Sequence, residues 1–153
     1  EQLAIRTTYT GSLLSVQALD FPPIAIVPYG DDRVLLIGNG ASGGRVQERN
    51  IVTGLAVEVT AFPGQAISRV AYDDAADLWL VLPTQIVRID MAASLVAPFS
   101  ATTATDLAHD AADGLVWIAS GSDAIALDQT SGATLGTISF PLAVDRVLPF
   151  FNR

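Results

Sequence analysis

The sequence predicts an all-β fold assembled from four-stranded antiparallel repeats, and three observations predict it. A phrase is written twice: residues 71–81 read AYDDAADLWLV and residues 108–119 read AHDAADGLVWIA. The spacing is regular: 38 residues separate Trp79 from Trp117, and the same interval separates Asp90 from Asp128, which end IVRID and AIALD. Finally, every apolar run is strand-sized, rich in β-branched residues and bounded by Asp, Gly, Ser, Thr or Pro. No window sustains the i, i+3, i+4, i+7 apolar spacing of a helix.

The elements follow in chain order. Residues 1–20 hold a half repeat, with LAIRT as a third-type strand and LLSVQAL as a fourth-type strand. Full repeats follow at 24–62, 67–100 and 105–140, and DRVLPF within 144–151 supplies one closing first-type strand. The copy from Ile67 reads ISRVAY, an acidic turn, LWLVL, PT, QIVRID, MAAS and LVAPFS. The copy from Thr105 reads TDLAH, DAADG, LVWIAS, GSD, AIALD, QTSG and ATLGTIS. In the first full copy Asn50 takes the Asp position, and Gly54 aligns with Gly132 and with Gly11 of the half repeat.

Four short strands in about forty residues point to the blade of a β-propeller. Blades stack face to face, so strands apolar at every position, such as LVWIA and IAIV, are expected. Trp79 and Trp117 would fill the widening wedge between blades. Asp73 and Asp110 open the acidic turns, Asp90 and Asp128 cap the turns after third strands with their carboxylates, and Gly54 and Gly132 supply turn conformations. The expectation is a single propeller-like domain of about four blades. It is either a four-bladed ring closed by pairing the termini, with one blade a strand short, or part of a larger ring. An open stack would expose apolar faces and strand edges.

At DDAADLWLVLPTQIVRID and DAADGLVWIASGSDAIALDQTSG the chain resembles propeller repeats of the NHL, quinoprotein and two-component-regulator types, over about 24–141. It departs from them where RVLLI at 33–37 carries no Trp and where Asn50 replaces Asp. The resemblance implies a fold and little function, because propellers host binding, scaffolding and catalysis alike.

Composition narrows the function. The net charge is −8, with 8 Lys+Arg against 16 Asp+Glu, and every cation is Arg. A chain without a basic surface cannot neutralise phosphates, which argues against nucleic acid and against anionic membrane surfaces as partners. Half the residues are hydrophobic, 50%, yet no apolar run reaches the roughly 18–20 residues of a membrane-spanning helix. With Cys 0, disulfides, thiolate catalysis and Cys-ligated zinc are excluded. The chain begins at Glu1 and carries no cationic stretch followed by an apolar run, so the expectation is a processed protein or a piece of a longer one.

Candidate site residues are few. Asp31, Asp32, Asp73, Asp74, Asp77, Asp110 and Asp113 lack the D-x-D-x-D-G calcium pattern and read as solvated turns. His109, the single His, stands where the preceding copy has Tyr72, which points to a packing slot that accepts rings. GNGASGGR at 38–45 lacks a phosphate-loop lysine and reads as a flexible connection. Asp106 and Asp145, near first strands, are the carboxylates a channel enzyme would use. Phe150 and Phe151 are contact candidates, either packed in a seam or exposed to a partner. No cofactor and no metal is expected. The expected function is a non-catalytic binding or scaffold module with protein partners. The alternatives are a structural component of an extracellular assembly, such as a phage virion or cell-surface layer, and a carboxylate enzyme.

Overall fold

The computed structural model describes residues 2–6, 13–73 and 77–148. Asp74, Gly11, Phe150 and Phe151 lie outside the described residues, and every regular element within them is a strand. Contacts divide the chain into two compact units, Glu1–Ala66 and Ile67–Arg153.

The first unit contains β1 (Gln2–Arg6) and β2 (Leu13–Ala18), paired in a two-stranded sheet. It also contains β3 (Pro23–Pro28), β4 (Arg33–Gly40), β5 (Gly43–Asn50) and β6 (Ala56–Pro63), a four-stranded meander. The second unit contains two such meanders. One is β7 (Arg69–Tyr72), β8 (Leu78–Val81), β9 (Ile86–Asp90) and β10 (Leu95–Ser100). The other is β11 (Asp106–Asp110), β12 (Leu115–Ser120), β13 (Asp123–Asp128) and β14 (Thr134–Ser139). All pairs are antiparallel and consecutive, so each repeat is one sheet. The all-apolar second strands have the burial they imply: Leu78, Trp79, Leu80 and Val81 are all buried. The fourth strand β14, by contrast, is exposed at every position.

One turn recurs after each third strand. Asn50 Oδ1 accepts the amides of Val52 and Thr53 at 2.9 and 2.7 Å, and Asp128 Oδ1 accepts those of Thr130 and Ser131 at 3.1 and 2.7 Å. Asp90 Oδ1 accepts the Ala93 amide at 2.8 Å. Four residues on, the backbone is left-handed in all three copies: φ is 76° at Gly54, 71° at Gly132 and 52° at Ser94. Gly carries no Cβ to oppose this conformation, whereas Ser does. The side-chain oxygen at the first position and the left-handed residue at the fifth are therefore one device.

The glycine-rich stretch 38–45 is not the flexible connection its composition suggests. β4 runs through Gly40 and β5 starts at Gly43, leaving Ala41 and Ser42 as a two-residue hairpin turn. Glycine is needed for close approach: a Cβ on Gly38 would collide with the Pro22 carbonyl, and one on Gly43 with the Phe62 carbonyl. The closing strand expected at 144–151 also differs. Over its described part, 144–148, the chain forms no strand ladder and is held instead by single hydrogen bonds, such as that from the Val144 amide to the Gly121 carbonyl.

Sheets stack differently in the two units. In the first, β1–β2 meets β3–β6 through polar contacts: Gln17 Nε2 donates to the Ile51 carbonyl at 2.9 Å, and an Arg49 Nη1 proton goes to the Ala18 carbonyl at 2.6 Å. Gln47 Nε2 lies 3.3 Å from an Asp20 carboxylate oxygen, and the Arg45 guanidinium covers the Phe21 ring, 5.3 Å from its centroid. In the second, an apolar cluster joins β7–β10 to β11–β14, with Trp79, Val81, Ile86 and Phe99 on one side and Leu107, Val116, Ile118 and Leu127 on the other.

Candidate functional site

Trp79 and Trp117 hold the same register position in successive sheets. Trp79 faces Ala71 and Arg88 across its ladder, and Trp117 faces Ala108 and Ala126. Their surroundings separate them. Trp79 is fully buried, edge-on to Phe99 at 6.3 Å and stacked on His109 of the neighbouring sheet at 4.7 Å with 21° between the planes. His109 Nε2 in turn lies 2.8 Å from Gln129 Oε1. His109 is thus the lid over Trp79, a partner that the spacing alone did not identify, whereas Tyr72 at the equivalent position is 47% exposed.

Trp117 projects from the opposite face of β11–β14, which no other sheet of its unit covers. Beside it run residues 143–148. The Val144 amide donates to the Gly121 carbonyl at 2.8 Å, Thr105 Oγ1 donates to the Val144 carbonyl at 3.2 Å, and the Val147 amide donates to Asp106 Oδ2 at 3.1 Å. A cleft of about 480 Å³ remains, bounded by Trp117, Ala124 and Asp113 on the sheet and by Val144, Val147 and Leu148 on the segment. Arg146 also borders it. Around Trp117, Ala119, Ala124 and Ala126 stand where Val81, Ile86 and Arg88 surround Trp79, and Ala124 lines the cleft.

Most of the remaining candidates are engaged in local turn and ion-pair contacts. Asp73 Oδ1 accepts the Asp77 amide at 2.8 Å, and Asp77 pairs with Arg88. Asp110 is buried and accepts the Ala112 amide at 3.2 Å. Asp32 accepts from Asn50 Nδ2 at 2.7 Å, and Asp31 is exposed. Among the described residues no group of three His, Asp or Glu side chains is placed to hold a metal ion. Asp106 lies 3.4 Å from Arg69 Nε and accepts the Val147 amide, while Asp145 is exposed. The Asp128 carboxyl is held below its usual range by the backbone amide of Ser131, then its hydroxyl, with a smaller contribution from the Thr130 amide. Composition gave no sign of the polar contacts of Gln17, Gln47 and Arg49.

No protein-family model matches the sequence, and no curated protein matches it. Solved structures do match. Sqt1 of Saccharomyces cerevisiae is similar over 94% of this chain and 43% of its own, with a TM-score of 0.67 and 13% identity. The extracellular domain of a B. thetaiotaomicron protein described as a hybrid two-component system is similar over 81% of this chain and 17% of its own, with a TM-score of 0.61 and 11% identity. The repeat is a propeller blade. A chain of the nidogen/laminin complex is similar over 76% of this propeller-type chain and 49% of its own, with a TM-score of 0.57 and 7% identity. At these identities the likeness shows the β-propeller-type fold alone. The chain spans less than half the length of Sqt1 and of the nidogen/laminin chain.

Proposed function

We propose that the chain is a non-catalytic binding module that makes protein–protein contacts through the open face of β11–β14. The observation that carries this reading is the cleft beside Trp117. It joins a half-buried indole and apolar residues to one cation, Arg146, and two carboxylates, the buried Asp110 and the exposed Asp113. Anchoring pockets of protein interfaces combine aromatic and apolar burial with a polar rim in this way. A chain of similar fold occurring in the nidogen/laminin complex agrees with the reading. The net charge of −8 weighs against nucleic acid as the partner. As for catalysis, the Asp106 carboxylate is already engaged by Arg69 and the Val147 amide.

A second reading, a structural component of an extracellular assembly such as a virion or cell-surface layer, draws on β1–β2. That sheet has two strands where its neighbours have four. Incomplete sheets with free edges gain stability from further strands.

The test is selection of a displayed random peptide library on the immobilised chain. The expected result is a peptide family carrying a bulky apolar residue. Its binding should fall at least tenfold with Leu148→Arg or Ala124→Arg and survive Asp145→Asn. Failure of any family to enrich, or binding indifferent to both cleft substitutions, overturns the proposal.

A further inference from the structure

We propose that the cleft beside Trp117 takes the guanidinium of an arginine on the bound protein segment, set against the indole and paired with Asp110 and Asp113. The inference rests on the binding reading above and names the charged group that the partner brings. It starts from the preceding repeat, where the same neighbourhood contains a guanidinium of its own. Arg88 stands directly across β8–β9 from Trp79 and so shares its face. Its Nε donates to Oδ2 of Asp77, just before β8, at 3.2 Å. Across β12–β13 from Trp117 the corresponding residue is Ala126. The acidic turn is retained there, since Asp110 and Asp113 both line the cleft, but residues 105–140 contain no Arg to pair with it.

Asp110 is the deciding group. It is 6% exposed, and its Oδ1 accepts the Ala112 and Asp113 amides at 3.2 and 3.4 Å. Among the described residues its Oδ2 accepts no hydrogen bond, and the side chain borders the cleft. A buried carboxylate without an opposite charge is costly, and a cation entering from the cleft offsets that cost. Arg146 does not fill this role: among the described residues it makes no ion pair with either carboxylate. Its neighbour Val147 is bonded to Asp106 at the start of β11, whereas Asp110 ends that strand, about 13 Å of extended chain away. Two carboxylates against one guanidinium leave the cleft net negative, and the chain's charge of −8 draws cations toward it. An arginine suits the place better than a lysine. Its planar fork can bond two carboxylate oxygens at once and stack on an indole, and it is the more weakly hydrated of the two. Its methylene stem would lie along Phe140 and Leu148, which also line the cleft.

The experiment uses the full chain and the peptide family recovered by the selection above, with affinities read by titration calorimetry. That family is expected to carry an arginine next to its bulky apolar residue. Replacing this arginine by citrulline, which keeps the shape and removes the charge, should weaken binding about tenfold or more. On the double variant Asp110→Asn, Asp113→Asn the two peptides should bind within about twofold of each other. Asn keeps an Oδ1 for the turn amides, as Asn50 does in its own turn. Asp113→Asn alone changes an exposed side chain and should already narrow the difference about threefold. A family enriched without arginine, a citrulline peptide that binds as well as its parent, or a difference undiminished in both variants overturns the proposal. If such binding still falls with Leu148→Arg, the binding reading stands without it. Failure of any family to enrich sinks the two together.

Discussion

The two units use the same blade, and the described contacts between their sheets differ in kind. Between β7–β10 and β11–β14 the contact is a dry cluster centred on Trp79, whose Nε1–H has no hydrogen-bond partner. Among the described residues, the contacts between the chain of β1–β2 and β3–β6 include hydrogen bonds of Gln17, Gln47 and Arg49, and each of these leaves one buried polar atom unpaired: Gln17 Oε1, Gln47 Oε1 and Arg49 Nε. Apolar burial is non-directional and grows with area, whereas a buried polar contact is worth little net and costs much when left unmade. The first kind of interface tolerates small shifts and fails when volume is lost. The second holds one register and fails when a partner is removed.

Trp79→Ala should break the apolar side most. It empties the largest fully buried site, removes the His109 and Phe99 ring contacts and should cost about 3–5 kcal/mol in urea unfolding. Loss below about 1 kcal/mol would mean that the sheets are not held through this slot. Next comes a paired test at one repeat position. Gly54 and Gly132 share a left-handed φ, but a Cβ on Gly132 would collide with the Phe99 carbonyl, while one on Gly54 would meet only the Gln17 side chain at 3.7 Å. Gly54→Ala should cost about 1–2 kcal/mol for its backbone. Gly132→Ala should add about 1–3 kcal/mol for the displaced neighbour. Equal losses would show that Phe99 yields freely.

The polar side is sharpened by Arg49. Arg49→Ala strands the Ala18 carbonyl and should cost about 1.5–3 kcal/mol. Arg49→Met fills the space without a charge and should lie closer to neutral, since buried charges are often replaced by apolar groups at little cost. If Met is as damaging as Ala, the hydrogen bond and not the volume holds β1–β2.

This contrast explains what the sequence makes legible. Trp79, Trp117 and the Asn50, Asp90 and Asp128 turns obey short-range rules, so their spacing shows the repeat directly. The role of Gln17, Gln47 and Arg49 depends on which face of β1–β2 is turned toward β5, and nothing local in LLSVQAL or RVQERN encodes that. Gly38, Gly40, Gly43 and Gly44 mislead for a related reason. Loop composition and close backbone approach both select glycine, and only the positions of Pro22 and Phe62 distinguish them. The Trp117 cleft is half legible: the repeat places the indole, but the path of 143–148 beside it depends on the Gly121 and Asp106 contacts.

Ser94 offers a smaller test within the apolar unit. It is the non-glycine member of the three left-handed turn positions, with φ of 52°. Ser94→Gly relieves that strain and should stabilise by about 1 kcal/mol, less the entropy that glycine loses on folding. A loss of stability would mean that the Ser94 side chain makes a contact worth more than the strain.

The smallest effect separates the two units by pH. Asn50 and Asp128 cap the same turn with the same oxygen, but only Asp128 titrates. Its folded-state carboxyl is held down by the Ser131 amide and hydroxyl and the Thr130 amide, which favour the charged form. A depressed folded value contributes stability that is present above the unfolded value, near 4, and is lost as the pH falls through the folded value. Asp128→Asn copies the cap that Asn50 already provides, accepting the same amides without a proton to gain. The variant should match the wild type in thermal melts at neutral pH or fall slightly below it. Below about pH 4 its melting temperature should decline less steeply than that of the wild type. The mirror substitution, Asn50→Asp, should bring the same acid sensitivity to the first unit, unless Asp32, which now accepts from Asn50 Nδ2, repels the new carboxylate and weakens the turn at neutral pH as well. Parallel acid profiles for wild type and Asp128→Asn would show that the cap acts through geometry alone and that its charge is immaterial.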